Sequence, residues 1–327
     1  MTNVSVIIPC LNEGKTISTV LQAIHDQDYP LQDLEVIIAD GGSKDGTLEK
    51  IEGFQREHPN LSLLVLLNPK RQIPTALNLA IRSCNGAIIV RMDAHSIPAP
   101  DYISRCVNCL QAGKGDNVGG RWEIIPGAYT WMARGIAAAA AHPLGVGNVK
   151  YRISGEAGPV DTVPFGSYFK KLFDRIGFFD ETLLTNEDYE LNTRIRQNGG
   201  IVWFDPDIHC RYFSRPSFIE LGRQYWRYGF WKAKMIRRYP ASLKPRQMLP
   251  PMFVTGIFGL LIGSLFIPVL LYGLISEFLI YLGIIILVSV PGARDKKDIS
   301  LMVSMPMAIL TMHLTWGTGF IAGLITK

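Results

Sequence analysis

Five acidic residues, at four places in the chain, stand where they could do chemistry. Asp93 ends the apolar run in IIVRMDAHSIP (88–98), with His95 two places on. A carboxylate and an imidazole at that spacing suit a divalent cation, although aspartate also begins ordinary turns. Asp40 closes a second apolar run in IIADGGSKDGT (37–47), where Gly41 and Gly42 would let backbone approach a ligand closely. Asn12 and Glu13 follow a third run, in PCLNEGKT (9–16), and taken alone they read as capping residues. Glu187 and Asp188 open a helical pattern in TNEDYELNTRIRQNG (185–199). Carboxylates there cap a helix, or take a proton from an attacking hydroxyl. Turn formation accounts well for Asp45 and Thr47 and poorly for Asp40, which ends an apolar run rather than starting a helix.

These positions imply the elements that must carry them. VSVIIP, LEVIIADGG, LSLLVLLN and GAIIVRMD alternate with the helical patterns GKTISTVLQAIHDQ and TLEKIEGFQREH. Continuous Val/Ile/Leu runs separated by helices predict a largely parallel α/β sheet covered on both faces. Ligands of such a sheet bind outside the carboxyl ends of its strands. Three of the first four strands then deliver an acid, Glu13, Asp40 or Asp93, to that one edge.

Other chemistries fit less well. Gly14-Lys15-Thr16 resembles the end of a phosphate loop, but the glycine required five residues before the Gly-Lys pair is Pro9. The formal charge of +5 is too small and scattered to imply nucleic acid. Five cysteines make no paired framework, and no signal peptide precedes the first strand, which fits a reducing cytoplasm. Cys106 and Cys109 share one face of a helical pattern, which favours burial over zinc or redox chemistry. Lys70 and Arg71 read as a solvated loop within reach of phosphate, and His209 as a structural histidine near a strand end.

Near residue 249 the composition changes. Residues 251–275 carry no charge, 278–290 are apolar, and 299–326 follow after RDKKD. At about 20 residues per span, this predicts three membrane helices, or two and a re-entrant segment. The basic stretch 227–246 and RDKK would both face the cytoplasm. Gly319 and Gly323 offer a close helix contact. The expected organisation is a catalytic domain over 1–240 and a membrane domain over 249–327.

Together VSVIIPCLNE, DGGSKDGT, MDAH and NEDYELNTRIRQNGG, in that order, resemble a family 2 glycosyltransferase with the GT-A fold, a Rossmann-like open mixed sheet that binds nucleotide sugars. VDTVPFGSYFKKLFDRIGFFDE (160–181) and the C-terminal spans resemble the succinoglycan-type membrane enzymes. The resemblance implies that Pro9, Asn12, Glu13, Asp40 and Gly41 hold the nucleotide, that Asp93 holds a divalent metal (Mn²⁺ or Mg²⁺) on the diphosphate, and that Asp188 is the catalytic base. Most of the family shows D-x-D where this chain has Asp93-Ala94-His95. His95 is thus left among metal contact, phosphate contact and the turn itself, Mn²⁺ accepting imidazole more readily than Mg²⁺. Gly166 and Glu187 fall on the acceptor side. Gln224, Arg227 and Tyr228 approximate the Q-x-x-R-W pattern of processive members, tyrosine replacing tryptophan, and the same stretch also reads as an amphipathic interfacial helix. The implied reaction moves a sugar, with UDP-hexose the first choice of donor, to a lipid-linked or glycan acceptor at the inner membrane. The rivals are a sugar-nucleotide nucleotidyltransferase, whose arginine-bearing first loop is lacking, and a non-catalytic nucleotide-sugar sensor.

Overall fold

The structure is a computed structural model and describes residues 3–147, 149–153 and 155–326. Among these residues nine strands form one sheet: β1 Val4–Cys10, β2 Leu34–Asp40, β3 Ser62–Leu67, β4 Ile88–Arg91, β5 Ser96–Pro98, β6 Asn117–Ile125, β7 Gly158–Pro159, β8 Ser167–Phe169 and β9 Val202–Phe213. Their order is β3-β2-β1-β4-β8-β6-β9-β5, with β7 paired to β9. β1 to β4 pair in parallel, and the sheet turns antiparallel from β8 onward. Cys10 lies opposite Asp40, and Ile7 opposite Arg91, so the carboxyl ends of β1, β2 and β4 share an edge as the sequence predicts.

Helix Ile17–His25 buries Ile17, Val20, Leu21 and Ile24, the three- and four-residue spacing of one face. Helix Ile73–Ser83 carries Pro74 in its first turn, where the missing N–H costs nothing. One expectation fails locally: β3 leaves Leu64, Val65 and Leu67 exposed. β3 is an edge strand, and among the described residues no strand pairs with its outer flank.

The chain divides into two compact units, Met1–Glu123 with Ser154–Tyr212, and Ile124–Ile153 with Phe213–Lys327. This differs from a single division between 240 and 249. In the second unit, helices Trp131–Ala140 and Phe218–Ile236 belong with the C-terminal helices because they share a core, where Ile136, Leu221 and Tyr225 meet Met305, Ile309 and Met312. Contact is close enough to require glycine. A Cβ on Gly319 would lie 2.2 Å from the Trp226 carbonyl oxygen, and one on Gly323 2.5 Å from that of Phe230. Lys234 and Arg237 donate to the carbonyls of Leu324 and Thr326, so two cations of the basic stretch satisfy the end of the last helix.

Three described helices, Pro245–Ser264, Leu270–Asp295 and Leu301–Ile325, are long and apolar enough to cross a membrane. The first ends eleven residues before the charge-free run does. Pro268 lacks the N–H that a continuing helix needs there.

Candidate active site

The site grows from the end of β4. Arg91 is its last residue and has a side chain only 3% exposed. Arg91 Nη1 donates to Asp188, while Nη2 donates to Glu187 at 2.9 Å and to Asp93 at 3.3 Å. Asp93 lies in the turn between β4 and β5, held by the Ser96 N–H on its carbonyl at 3.1 Å. Glu187 and Asp188 open helix Glu187–Gln197. Glu190, fully buried in that helix, pairs with Arg194, which also donates to the carbonyls of Ile176, Gly177 and Phe178. The helix is thus pinned to the preceding loop, and its first turn is delivered to Arg91.

Backbone geometry contributes as well. Asn12, Arg71, Phe165 and Asn186 adopt positive φ. Such residues are costly without glycine and gather where a site over-determines the chain. Asn186 (φ 68°) turns into the helix bearing Asp188, and Phe165 (φ 60°) precedes Gly166, whose carbonyl accepts the Arg91 N–H at 2.9 Å. Burial pushes the Asp188 carboxyl above the ordinary range; Arg91 opposes this, while Glu187 and Asp93 reinforce it. Its side chain keeps 23% exposure, so burial is partial and the two carboxylate neighbours matter to the direction.

The two loops at the ends of β1 and β2 are tied to each other. Asn12 Oδ1 accepts from the Lys44 N–H, Ser43 Oγ from the Asn12 N–H, and Asp45 from the Gly14 N–H. Asp40 also forms a turn, accepting from the N–H groups of Gly42 and Ser43 and from the Ser43 hydroxyl. The turn role that sequence gave to Asp45 therefore extends to Asp40, because the chain reverses within two residues of the strand end. Arg71 Nε donates to the Gly41 carbonyl at 3.0 Å, which sets its guanidinium beside that turn. Lys70 pairs instead with Glu181 on the surface.

Glu13 Oε1 and His95 Nδ1 lie 3.1 Å apart, so the loop after β1 meets the turn after β4. Among the described residues no group of three or more His, Cys, Asp or Glu is arranged to hold a metal. Asp93, expected with His95 as metal ligand, gives one oxygen to Arg91, and His95 turns one nitrogen to Glu13. This partial set still fits a hard cation, which commonly takes one or two carboxylates and completes its shell with substrate phosphates and water. His209 turns Nδ1 to the Asp207 carbonyl. Burial raises the Cys106 thiol to about 12, leaving it inert at neutral pH.

Gly166 (φ 94°) accepts the Arg91 N–H on its carbonyl, and a Cβ there would meet Tyr168 and Asn117. Pro9 is in β1, next to Cys10. Gln224, Arg227 and Tyr228 belong to the second unit, on helix Phe218–Ile236. There Gln224 donates to the Tyr228 hydroxyl at 2.9 Å, and Arg227 lines a groove of about 510 Å³ with Gly222, Arg223, Trp226 and Thr315. Arg91 and Phe165 were missed in sequence. A signal existed for Arg91: an always-charged residue in a strand of Ile and Val demands buried counter-charges. Phe165 gave none, since an aromatic residue does not announce positive φ.

A parallel half-sheet extended by antiparallel strands, with carboxylates gathered at its carboxyl edge, is the GT-A glycosyltransferase fold. A solved structure of similar fold is that of a mannosyltransferase from Pyrobaculum calidifontis in complex with GDP-Man and Mn²⁺, at TM-score 0.65 and 20% identity over 100% of this chain and 88% of that one. The glycosyl transferase family 2 model matches residues 5–177, and the chain belongs to that family. It is 29% identical to the succinoglycan biosynthesis protein ExoA of Rhizobium meliloti, over 96% of this chain and 93% of the relative. It is 28% identical, over 99% and 98%, to the dolichyl N-acetyl-α-D-glucosaminyl phosphate 3-β-D-2,3-diacetamido-2,3-dideoxy-β-D-glucuronosyltransferase of Methanococcus voltae. The chain is thus a glycosyltransferase of polysaccharide or glycan biosynthesis.

Proposed function

We propose that the protein transfers a hexose with inversion from a nucleoside diphosphate sugar, UDP-hexose first, to a lipid-linked or glycan acceptor at the cytoplasmic face of a cell membrane. The observation that carries this reading is the meeting of Asp93 and Asp188, remote in sequence, on one buried guanidinium. One carboxylate is then available to a cation and the other to a proton. The relative named for a dolichyl phosphate substrate and the three candidate spans support a lipid-carried acceptor.

In the transfer step Asp188 accepts the proton of the acceptor hydroxyl as that oxygen bonds to the anomeric carbon. The anomeric carbon–oxygen bond to the diphosphate breaks, and its electron pair leaves with the nucleoside diphosphate. A single displacement inverts the anomeric centre. Asp93, with His95 beside it, would hold Mn²⁺ or Mg²⁺, which stabilises charge on the diphosphate oxygens when bound. Pro9, Asn12, Glu13, Asp40 and Gly41 serve the nucleoside, Arg71 lies beside their loop, and Gly166 and Glu187 serve the acceptor side; in the second unit, Gln224, Arg227 and Tyr228 suit contact with a lipid-carried substrate.

A thermal-shift screen of UDP-, GDP- and dTDP-sugars with Mn²⁺ tests the donor. A true donor at a hundredfold excess over its dissociation constant raises stability by about 2.7 kcal/mol. Asp93→Asn should abolish the Mn²⁺-dependent part of that gain. If none of the three classes stabilises the protein with either metal, a nucleotide-sugar donor is ruled out.

A further inference from the structure

Arg91 does more than neutralise a neighbour. A structural arginine in this unit looks like Arg194, which forks onto the single carboxylate of Glu190 at 2.5 and 2.8 Å and spends its other nitrogen on backbone carbonyls. Arg91 instead divides its two terminal nitrogens among three carboxylates from two separate elements. Its Nε has no hydrogen-bond partner although buried, so the side chain is placed for the bridge at the expense of its own full satisfaction. The backbone is engaged too: the Arg91 N–H donates to the Gly166 carbonyl at 2.9 Å, tying the end of β4 to the positive-φ pair Phe165–Gly166.

We infer that Arg91 is a positioning residue for sugar transfer, holding Asp188 through Oδ1 at a fixed place relative to Asp93 and leaving the other oxygen for the acceptor hydroxyl. The inference rests on Asp188 as the base. A planar fork can span two elements in this way; the single ammonium of lysine, on a flexible stem, cannot. Misplacement of a base by an ångström costs on the order of 100-fold in rate. Asp93 accepts from Arg91 through Oδ1 alone, at 3.3 Å, which leaves its other oxygen to a cation, so donor binding should suffer far less than turnover.

The test is a double-mutant cycle in the full-length protein, with Arg91→Lys, Asp188→Asn and the pair, each measured for kcat and donor KM. Arg91→Lys should lower kcat by roughly 100-fold with donor KM changed less than about threefold. Combined with Asp188→Asn it should cost almost nothing further, because a residue acting through the base has no work once the base is gone. Full activity of Arg91→Lys, or an equal slowing by Arg91→Lys in both backgrounds, overturns the inference while leaving the base in place. So does an Arg91→Lys protein that fails to fold while Asp188→Asn folds, since Arg91 would then be structural. An Asp188→Asn protein at full rate instead defeats the base assignment, and this inference falls with it.

Discussion

Gly166→Ala is a demanding test of the site's internal geometry. Gly166 has φ 94°, and an added Cβ would lie 2.1 Å from the Tyr168 hydroxyl oxygen, 2.5 Å from its Cζ and 2.6 Å from Asn117 Oδ1. Neither neighbour yields easily. Tyr168 is buried and donates to the Phe165 carbonyl at 2.9 Å, and Asn117 Nδ2 donates to Asn192. Forcing a side-chain-bearing residue into that backbone conformation costs about 1–3 kcal/mol. Overpacking adds about 1–3 kcal/mol. A total near 4 kcal/mol corresponds to a fall in melting temperature of roughly 10 °C for a unit of this size. Thermal unfolding of the detergent-solubilised chain, followed by tryptophan fluorescence, reads this directly. Gly53→Ala is the internal control, because Gly53 lies inside helix Thr47–Glu57 and its Cβ would meet nothing within 4 Å. That substitution should stabilise by about 0.5–1 kcal/mol. If Gly166→Ala melts within about 2 °C of the parent, near the ~2–4 °C expected for a single kcal/mol, the crowding at Phe165–Tyr168 has been misjudged.

Further outcomes follow from the same coordinates. The Asp188 carboxyl is raised from 3.8 to about 8, so without a cation the folded state holds a proton that the unfolded chain has released. Stability should therefore fall as pH rises through that window, and Asp188→Asn should flatten the fall in melts taken at pH 5 and pH 8. Mn²⁺ with nucleoside diphosphate should stabilise the parent protein more at the higher pH, and equal stabilisation at both would contradict the charge account. In the second unit, Gly319→Val would drive a side chain into the Trp226 carbonyl, which a Cβ approaches to 2.2 Å. It should destabilise by about 2 kcal/mol or more in detergent melts, and an unchanged midpoint would remove the close helix contact from the account.

Much of the fold is legible in sequence because buried parallel strands announce themselves: Ile88–Val90 and Ile37–Ala39 have no polar residue to place. The acids at their ends are legible for the same reason, each interrupting a run that had no need of it. What sequence conceals is pairing across distance. Nothing local says that Arg91 meets a helix that begins at Glu187, or that the Asp40 carboxylate folds back onto Gly42 and Ser43. The domain division is hidden similarly. Helix Phe218–Ile236 reads as an amphipathic surface element, and only the glycines on both sides of its contact with Leu301–Ile325 explain where its apolar face goes. Pro268 carries a local signal, a breaker inside the run, but a reading by charge alone passes over it.

The most direct measurement is transfer of radiolabelled sugar from its nucleoside diphosphate to lipid-linked acceptor in membranes, comparing the parent protein with Asp188→Asn at equal amounts of folded protein. Removing a general base should slow transfer by about 100- to 10,000-fold while nucleotide binding persists. Transfer by Asp188→Asn at the parental rate would contradict the account.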